Sequence, residues 1–283
     1  MTTERTLERD VVVVTGAGGM GTAIARRLGP GRRLLLADIS EATLERVSAQ
    51  LRDEGHDVTT MRVDVADSDA VRALAETVQR LGRFRFLIHT AGLSPVQAPP
   101  ERIVRVDVVG TALVLDAFLP YAAPGCVAVC IASMAGAMAN LPPDVEHLLA
   151  TVPTDRLAHL PIFDPAQLRP EAAYAIAKRA NQVRVAAAAL AWGARGARVV
   201  SVSPGIISTP MAQQELASPH GETMRAMIAA SPAGRIGTPD DIAAVVEFLV
   251  SPAASFITGS DILVDGGTIA ALRFGRQAPM PSA

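Results

Sequence analysis

Along the chain, short runs of Val, Leu and Ile alternate with stretches in which apolar residues recur every three or four positions. Unbroken apolar runs suit strands buried on both faces. Their alternation with helices predicts an α/β fold, a doubly wound, Rossmann-type parallel sheet with helices on both sides. The first strand is expected at 11–15, and a helix over about 20–28 then sets Met20, Ile24 and Leu28 on one stripe. A second strand over 34–37, ending at Asp38, completes a βαβ unit. Further strands are expected near 58–63, 86–90, 127–132, 198–202 and 262–264, with helices between them. The longest helix is expected over 171–194, a segment dense in alanine.

Two segments break this rhythm. In 139–170, Asn140, Pro142, Pro143, Pro153, Pro161, Pro165 and Pro170 interrupt short amphipathic pieces, which predicts a helical insertion or lid. In 210–236, Met211, Met224 and Met227 lie among breakers at Pro219, Gly221 and Pro232, the pattern of a mobile flap. The ends, 1–9 and 273–283, read as poorly ordered tails.

Composition bounds what such a fold does. The chain has 283 residues, 49% of them hydrophobic, enough for one large core and one domain. A formal charge of −2 and the scattering of Arg among acids leave no basic patch, so neither nucleic acid nor a membrane is an expected partner; a small neutral molecule is. No apolar stretch reaches the length of a membrane helix, and the charged N-terminus does not resemble a secretory signal, so a cytoplasmic location is expected. Cys126 and Cys130 read as buried thiols in a reducing compartment. His147, His159, Asp144, Glu146 and Asp155 show no metal-ligand spacing, so no metal is expected. Of the 26 Lys and Arg residues only one, Lys178, is lysine, and there are only two tyrosines, Tyr121 and Tyr174. A lysine kept in one place calls for a chemical reason, because ammonium and guanidinium are not interchangeable.

The run Gly16-Ala17-Gly18-Gly19-Met20-Gly21 matches GxGxxG between a strand and a helix. That arrangement permits a tight turn and the approach of backbone N–H groups to a pyrophosphate. Asp38, 22 positions after Gly16, is placed to accept bonds from ribose hydroxyls and to repel a 2′-phosphate, which favours NAD(H) over NADP(H). Arg32 and Arg33 precede that strand and read as solvated surface. Asp64 and Val65, after the third strand, are candidates to hold the adenine.

Tyr174 and Lys178 stand at i and i+4 on one helix face. A neighbouring cation stabilises a phenolate, so Lys178 is expected to bring the Tyr174 pKa down toward the working range. With these residues in place, the chain from Val11 to Gly267 resembles the short-chain dehydrogenase/reductase family. The resemblance implies that Ser133 binds the substrate oxygen, Tyr174 transfers the proton, and Lys178 also holds the nicotinamide ribose. It further implies cofactor contacts at Ala91-Gly92 and along Pro204, Gly205, Ile207 and Thr209, and it includes Asp265-Gly266-Gly267.

The chain departs from the family in several places. The glycine loop is one residue shorter than usual. Asp107 stands where the family carries an asparagine of its proton relay, which acts largely through a backbone carbonyl that holds a water near the lysine. Asp107 keeps that carbonyl and adds a possible charge, and either a working relay with an altered pH profile or simple helix packing fits its side chain. His89-Thr90 replaces an expected asparagine, with His89 read as a packed residue. Ser133 and Tyr174 lie 41 positions apart because 139–170 intervenes. That insertion, together with Ala191-Trp192-Gly193 and the run from Ser251 to Gly267, is most similar to bacterial 3α-hydroxysteroid dehydrogenase/carbonyl reductases. The resemblance implies an NAD-dependent interconversion of an apolar alcohol and ketone, with 139–170 and 210–236 as substrate walls, in a homodimer or homotetramer. A sensor or scaffold that binds NAD without turnover, and an epimerase or dehydratase with tightly held NAD, are the alternatives.

Overall fold

Four consecutive valines set the centre of the molecule. In the computed structural model, which describes residues 9–275 apart from 165 and 220, β1 (Asp10–Thr15) has Val11 to Val14 wholly buried. Val12 and Val14 enter one core and Val11 and Val13 the other, the period-two alternation of a strand covered on both sides. The chain continues through α1 (Gly19–Leu28), β2 (Arg33–Asp38), α2 (Glu41–Asp53), β3 (Asp57–Arg62), α3 (Ser68–Leu81) and β4 (Arg83–His89). A short α4 (Pro100–Ile103) widens into a π-helical turn, Val104–Gly110, before α5 (Thr111–Phe118) and β5 (Val127–Ile131). Then come α6 (Met134–Met138), α7 (Pro143–Thr151), α8 (Pro170–Gly193), β6 (Arg198–Pro204), α9 (Pro210–Leu216), α10 (Gly221–Ala230), α11 (Pro239–Val250), β7 (Asp261–Val264) and α12 (Thr268–Phe274).

All strand pairings are parallel, in the order β3-β2-β1-β4-β5-β6-β7. The order reverses between β1 and β4, and the crevice beyond the carboxyl ends of the strands at that switch point is where such sheets bind ligands. Side chains of α1, α2 and α11 fill one face of the sheet; those of α3, α5 and α8 fill the other, including the buried Phe118 and Trp192.

The insertion folds as α7 followed by two 3-10 turns, Thr154–His159 and Pro161–Phe163. Leu149, Leu157 and Phe163 pack on Ile103, Val104 and Val108 and on Ala173, Ala177 and Ala180 of α8. Arg184 Nη1 donates to the Val152 carbonyl at 2.9 Å, at the carboxyl end of α7. The segment 210–236 is not irregular throughout, since it holds α9 and α10. At the chain's end, α12 carries order to Phe274, beyond the expected start of the tail at 273. Of the expected tails 1–9 and 273–283, residues 1–8 and 276–283 lie outside the described residues, as does Pro165. Among the described residues no helix is long and apolar enough to cross a membrane.

Candidate active site

The glycine loop is held by contacts that exclude side chains. Gly16 has φ +86°, and a Cβ there would lie 2.6 Å from the Ala91 nitrogen; one on Gly21 would lie 2.0 Å from the Gly16 carbonyl oxygen. A Cβ on Gly18 would instead meet nothing within 4 Å, because Gly18 faces an open groove of about 300 Å³. Gly18 caps α1 without a side-chain bond, so the helix presents its first N–H groups and its positive end to that groove. A pyrophosphate fits there with no side chain to displace.

Asp38 closes β2 at the lip of the groove. Its Oδ2 accepts the Ala17 N–H at 2.8 Å and its Oδ1 the Ser40 N–H at 2.9 Å, which fixes the carboxylate where ribose hydroxyls would reach it. Arg32 donates to the Leu28 carbonyl and Arg33 to Asp57, and neither lines the groove, in keeping with their reading as surface. Asp64, Val65, Ala91 and Gly92 line the groove as well. Burial would raise the Asp64 carboxyl, but the Ala66 N–H and the guanidinium of Arg102, 2.9 Å from Oδ2, hold it below its ordinary value.

A second cavity of about 230 Å³ adjoins the groove, and Met20, Thr209 and Met211 line both. Ser133 and Tyr174 face it, with Pro204, Gly205 and Ile207 on its floor. Ser133 lies two residues beyond β5 as the N-cap of α6, its hydroxyl accepting the Ala135 N–H. Met134, Ile206, Met224 and Met227 supply apolar wall, and Glu171, Glu215 and Ser218 the polar part. Met211, Met224 and Met227 of 210–236 line this cavity, whereas none of the described residues of 139–170 does. The insertion spends its apolar side chains against α8 and the π-helical turn, which corrects the expectation that it shapes the substrate cavity.

Lys178 and Asp107 line neither cavity but lie close to Gly92 on the groove wall. Lys178 Nζ is 5.4 Å from the centre of the Tyr174 ring and 2.9 Å from Asp107 Oδ2, with both charged side chains buried. Burial lowers Lys178, but the Asp107 carboxylate, and the Tyr174 phenolate whenever it forms, outweigh it, so the ammonium holds its proton more firmly than usual. Tyr174 is corrected relative to expectation. Burial raises its pKa more than Lys178 and Ser133 lower it, and Asp107 and Glu215 add to the rise, so the phenol is held above its ordinary value.

Sequence reasoning passed over several groups around this site. Asn181 and Gln182 sit one turn beyond Lys178 on α8, and that spacing was the available signal. Gln182 Nε2 donates to Ser203 Oγ at 2.8 Å and lies 3.4 Å from the Ser133 carbonyl. His89 is packed, as read, but also bridges Thr15 and Thr111 through its two ring nitrogens. No pattern in the sequence pointed to Arg102. The assembly as a whole offers a groove adjoining an apolar cavity lined by a phenol and a hydroxyl, with a buried ammonium close to the phenol, a set suited to moving a proton at a carbonyl or carbinol oxygen.

The chain is similar to known proteins. Residues 10–142 match the short chain dehydrogenase family, and residues 166–268 match the family described as enoyl-(acyl carrier protein) reductase. The short-chain dehydrogenase/reductase bsc3 of Alternaria brassicicola is 39% identical, over 94% of this chain and 98% of its own length. The 3-alpha-hydroxysteroid dehydrogenase/carbonyl reductase of Comamonas testosteroni is 30% identical, over 79% of this chain and 91% of its own. The crystal structure of levodione reductase aligns with a TM-score of 0.75 and 26% identity, covering 93% of this chain and 98% of that one. The chain belongs to the short-chain dehydrogenase/reductase family and is an NAD(H)-dependent oxidoreductase acting on a CH–OH or C=O group.

Proposed function

We propose that this enzyme interconverts a neutral, largely apolar secondary alcohol and its ketone, with cyclic and steroid-like compounds as the substrate class. The observation that carries this reading is the cavity beside Tyr174, where Met134, Ile206, Met211, Met224 and Met227 surround the phenol and Ser133. Methionine side chains adapt to varied shapes, which suits a range of bulky ketones. Glu171 and Glu215 in the same wall disfavour anionic substrates. The likeness to the Comamonas hydroxysteroid enzyme supports the same class.

In this reading Gly16, Gly18, Gly19, Met20, Gly21 and Asp38 hold the dinucleotide, with Asp64, Val65, Ala91 and Gly92 along its adenosine half. Pro204, Gly205, Ile207 and Thr209 bound its nicotinamide half, and Lys178 and Tyr174 hold the ribose there. Bound NADH supplies the hydride for reduction. Ser133 holds the carbonyl oxygen, and Tyr174 gives that oxygen a proton as the alkoxide forms. Held above its ordinary pKa, Tyr174 is protonated at neutrality and ready to act as the acid. In oxidation the same phenol must first give up its proton, with Lys178 stabilising the anion. Fixing both reactants at the junction of groove and cavity supplies much of the rate. The enzyme is read as cytoplasmic and as a homo-oligomer.

A panel of steroid ketones, smaller cyclic ketones and carboxylated analogues, assayed with NADH and with NADPH, tests the proposal. Turnover should be faster with neutral ketones and with NADH. A preference for carboxylated or phosphorylated substrates would overturn the substrate class.

A further inference from the structure

Asp107 lies in the π-helical turn, a local widening that is uncommon in helices and concentrates at functional sites. Its side chain is fully buried. Oδ1 accepts the Leu93 N–H at 2.8 Å, while Oδ2 accepts no aligned hydrogen bond and faces Lys178 Nζ at 2.9 Å. Gly92 bounds the pair: a Cβ there would come within 3.0 Å of both Asp107 Oδ2 and Lys178 Nζ.

The backbone carbonyl of Asp107 is engaged elsewhere. Thr111 Oγ1 donates to it at 2.7 Å, and the Asn181 amide, turned nitrogen-inward, donates to it at 2.8 Å. A carbonyl oxygen has two lone pairs, and two protein donors meet them here. Because the Thr111 proton points at the carbonyl, its oxygen accepts from His89 Nε2 at 3.0 Å, and His89 Nδ1 accepts in turn from Thr15 Oγ1 at 2.7 Å. This chain of bonds ties the carbonyl back to the strand that carries the glycine loop. The carbonyl is thereby committed to structure, and the lysine meets the carboxylate.

We propose that Asp107 is a positioning residue that holds Lys178 by direct ion pairing, rather than through its backbone carbonyl, and through Lys178 governs how firmly Tyr174 keeps its proton. The proposal rests on the reading of Tyr174 as the proton donor. In a buried site a lone ammonium near a phenol strongly favours the phenolate, and a carboxylate on the far side of the ammonium cancels part of that field. Among the described residues the charged and titratable groups around Tyr174 are few. Lys178 and Glu171 lie on its own helix, Asp107 on the π-helical turn, Glu215 on α9, Cys130 on β5 and His89 on β4. Burial and Lys178 hold His89 at about 3, so it brings no charge. Burial pushes Cys130 up to about 12, so it stays a thiol at neutrality. Burial holds the Asp107 carboxyl above its ordinary value although the ammonium and the Leu93 N–H pull it down, and as the carboxylate in contact with that ammonium Asp107 is the group that opposes its pull on the phenol.

The scarcity of lysine and tyrosine makes the test direct. In a Tyr121→Phe background Tyr174 is the only phenol in the chain, and its ionisation is read by tyrosinate absorbance without cofactor or substrate. Adding Asp107→Asn should lower that midpoint by about one pH unit or more. The alkaline limb of ketone reduction should move in the same direction by a similar amount, while NADH affinity stays within about threefold. A folded Asp107→Asn chain with an unmoved phenol midpoint overturns the proposal even if turnover falls. A lysine-selective 15N label gives a single side-chain signal and needs no variant at position 107. In the otherwise unaltered chain Lys178 should remain an ammonium through the whole ionisation of Tyr174, and deprotonation of Lys178 first would overturn the proposal as well. Neither titration requires turnover, so an inactive enzyme or an undiscovered substrate affects the functional reading and not this one.

Discussion

Arg179 of α8 donates to Glu146 of α7 across 2.6 Å, fastening the insertion to the helix that carries Tyr174 and Lys178. Arg179 also reaches Gln182 Oε1 at 3.0 Å. The insertion therefore belongs to the support of the catalytic helix. Leu149→Ala and Leu157→Ala, each emptying a fully buried position, should cost about 2–5 kcal/mol of stability. KM for ketones should change little, because neither residue lines the cavity. Thermal melts and steady-state kinetics of the two variants check this; a large rise in KM with an unchanged melting temperature would place the insertion at the substrate.

Tyr174→Phe removes the proposed proton donor and little else from the cavity wall. Turnover should fall by about two to four orders of magnitude, the usual contribution of a positioned acid. NADH binding, measured by fluorescence titration, should stay nearly intact. Activity close to that of the unaltered enzyme would remove the phenol from the reaction.

The direction of the Tyr174 shift sets a pH dependence. Ketone reduction needs the phenol and should hold steady through neutrality, declining only as pH rises through the elevated pKa; alcohol oxidation needs the phenolate and should rise over the same range. Profiles of kcat/KM in both directions test this, and a reduction rate that falls between pH 6 and 7 would contradict it, this window being roughly that of an ordinary histidine.

Buried neutral His89 makes the fold sensitive to acid. Its pKa is about 3 in the folded chain against about 6.5 when exposed, so the unfolded chain binds the extra proton first. The stabilisation is complete above the unfolded value and is lost as pH falls toward the folded one, at roughly 1.4 kcal/mol per pH unit. Urea midpoints between pH 5 and 6.5, above most carboxylate titration, should fall in the unaltered chain and flatten in His89→Gln. An equal slope in both chains would show that His89 is not the source.

Asp38→Ser should relax the choice of cofactor. Without the carboxylate fixed by the Ala17 and Ser40 amides, the ratio of NADH to NADPH efficiency should fall by about tenfold or more, about 1.4 kcal/mol of discrimination. An unchanged ratio would mean that another group reads the ribose.

How much of this was legible in the sequence depends on the range of the contacts involved. The run Val11–Val14 announces a strand buried on both sides, and Asp38 declares itself by its distance from the glycine loop, because both signals are local. The π-helical turn left no such mark, since one shifted hydrogen-bond register over seven residues has no periodic signature. The prolines of 139–170 show where helices break but not which surface the pieces cover. Lys178 at i+4 from Tyr174 was visible, yet whether burial or the cation wins at the phenol depends on groups such as Asp107 and Glu215, far away along the chain.

The burial of the one lysine has a use beyond catalysis. Lys178 is 5% exposed and sits within the 24-residue helix α8. An endoproteinase specific for lysyl bonds therefore has one target in the entire sequence, out of reach until that helix opens. When reclosing is fast relative to cleavage, the cutting rate follows the population of the open form, and the appearance of two fragments becomes a gauge of unfolding at the catalytic centre.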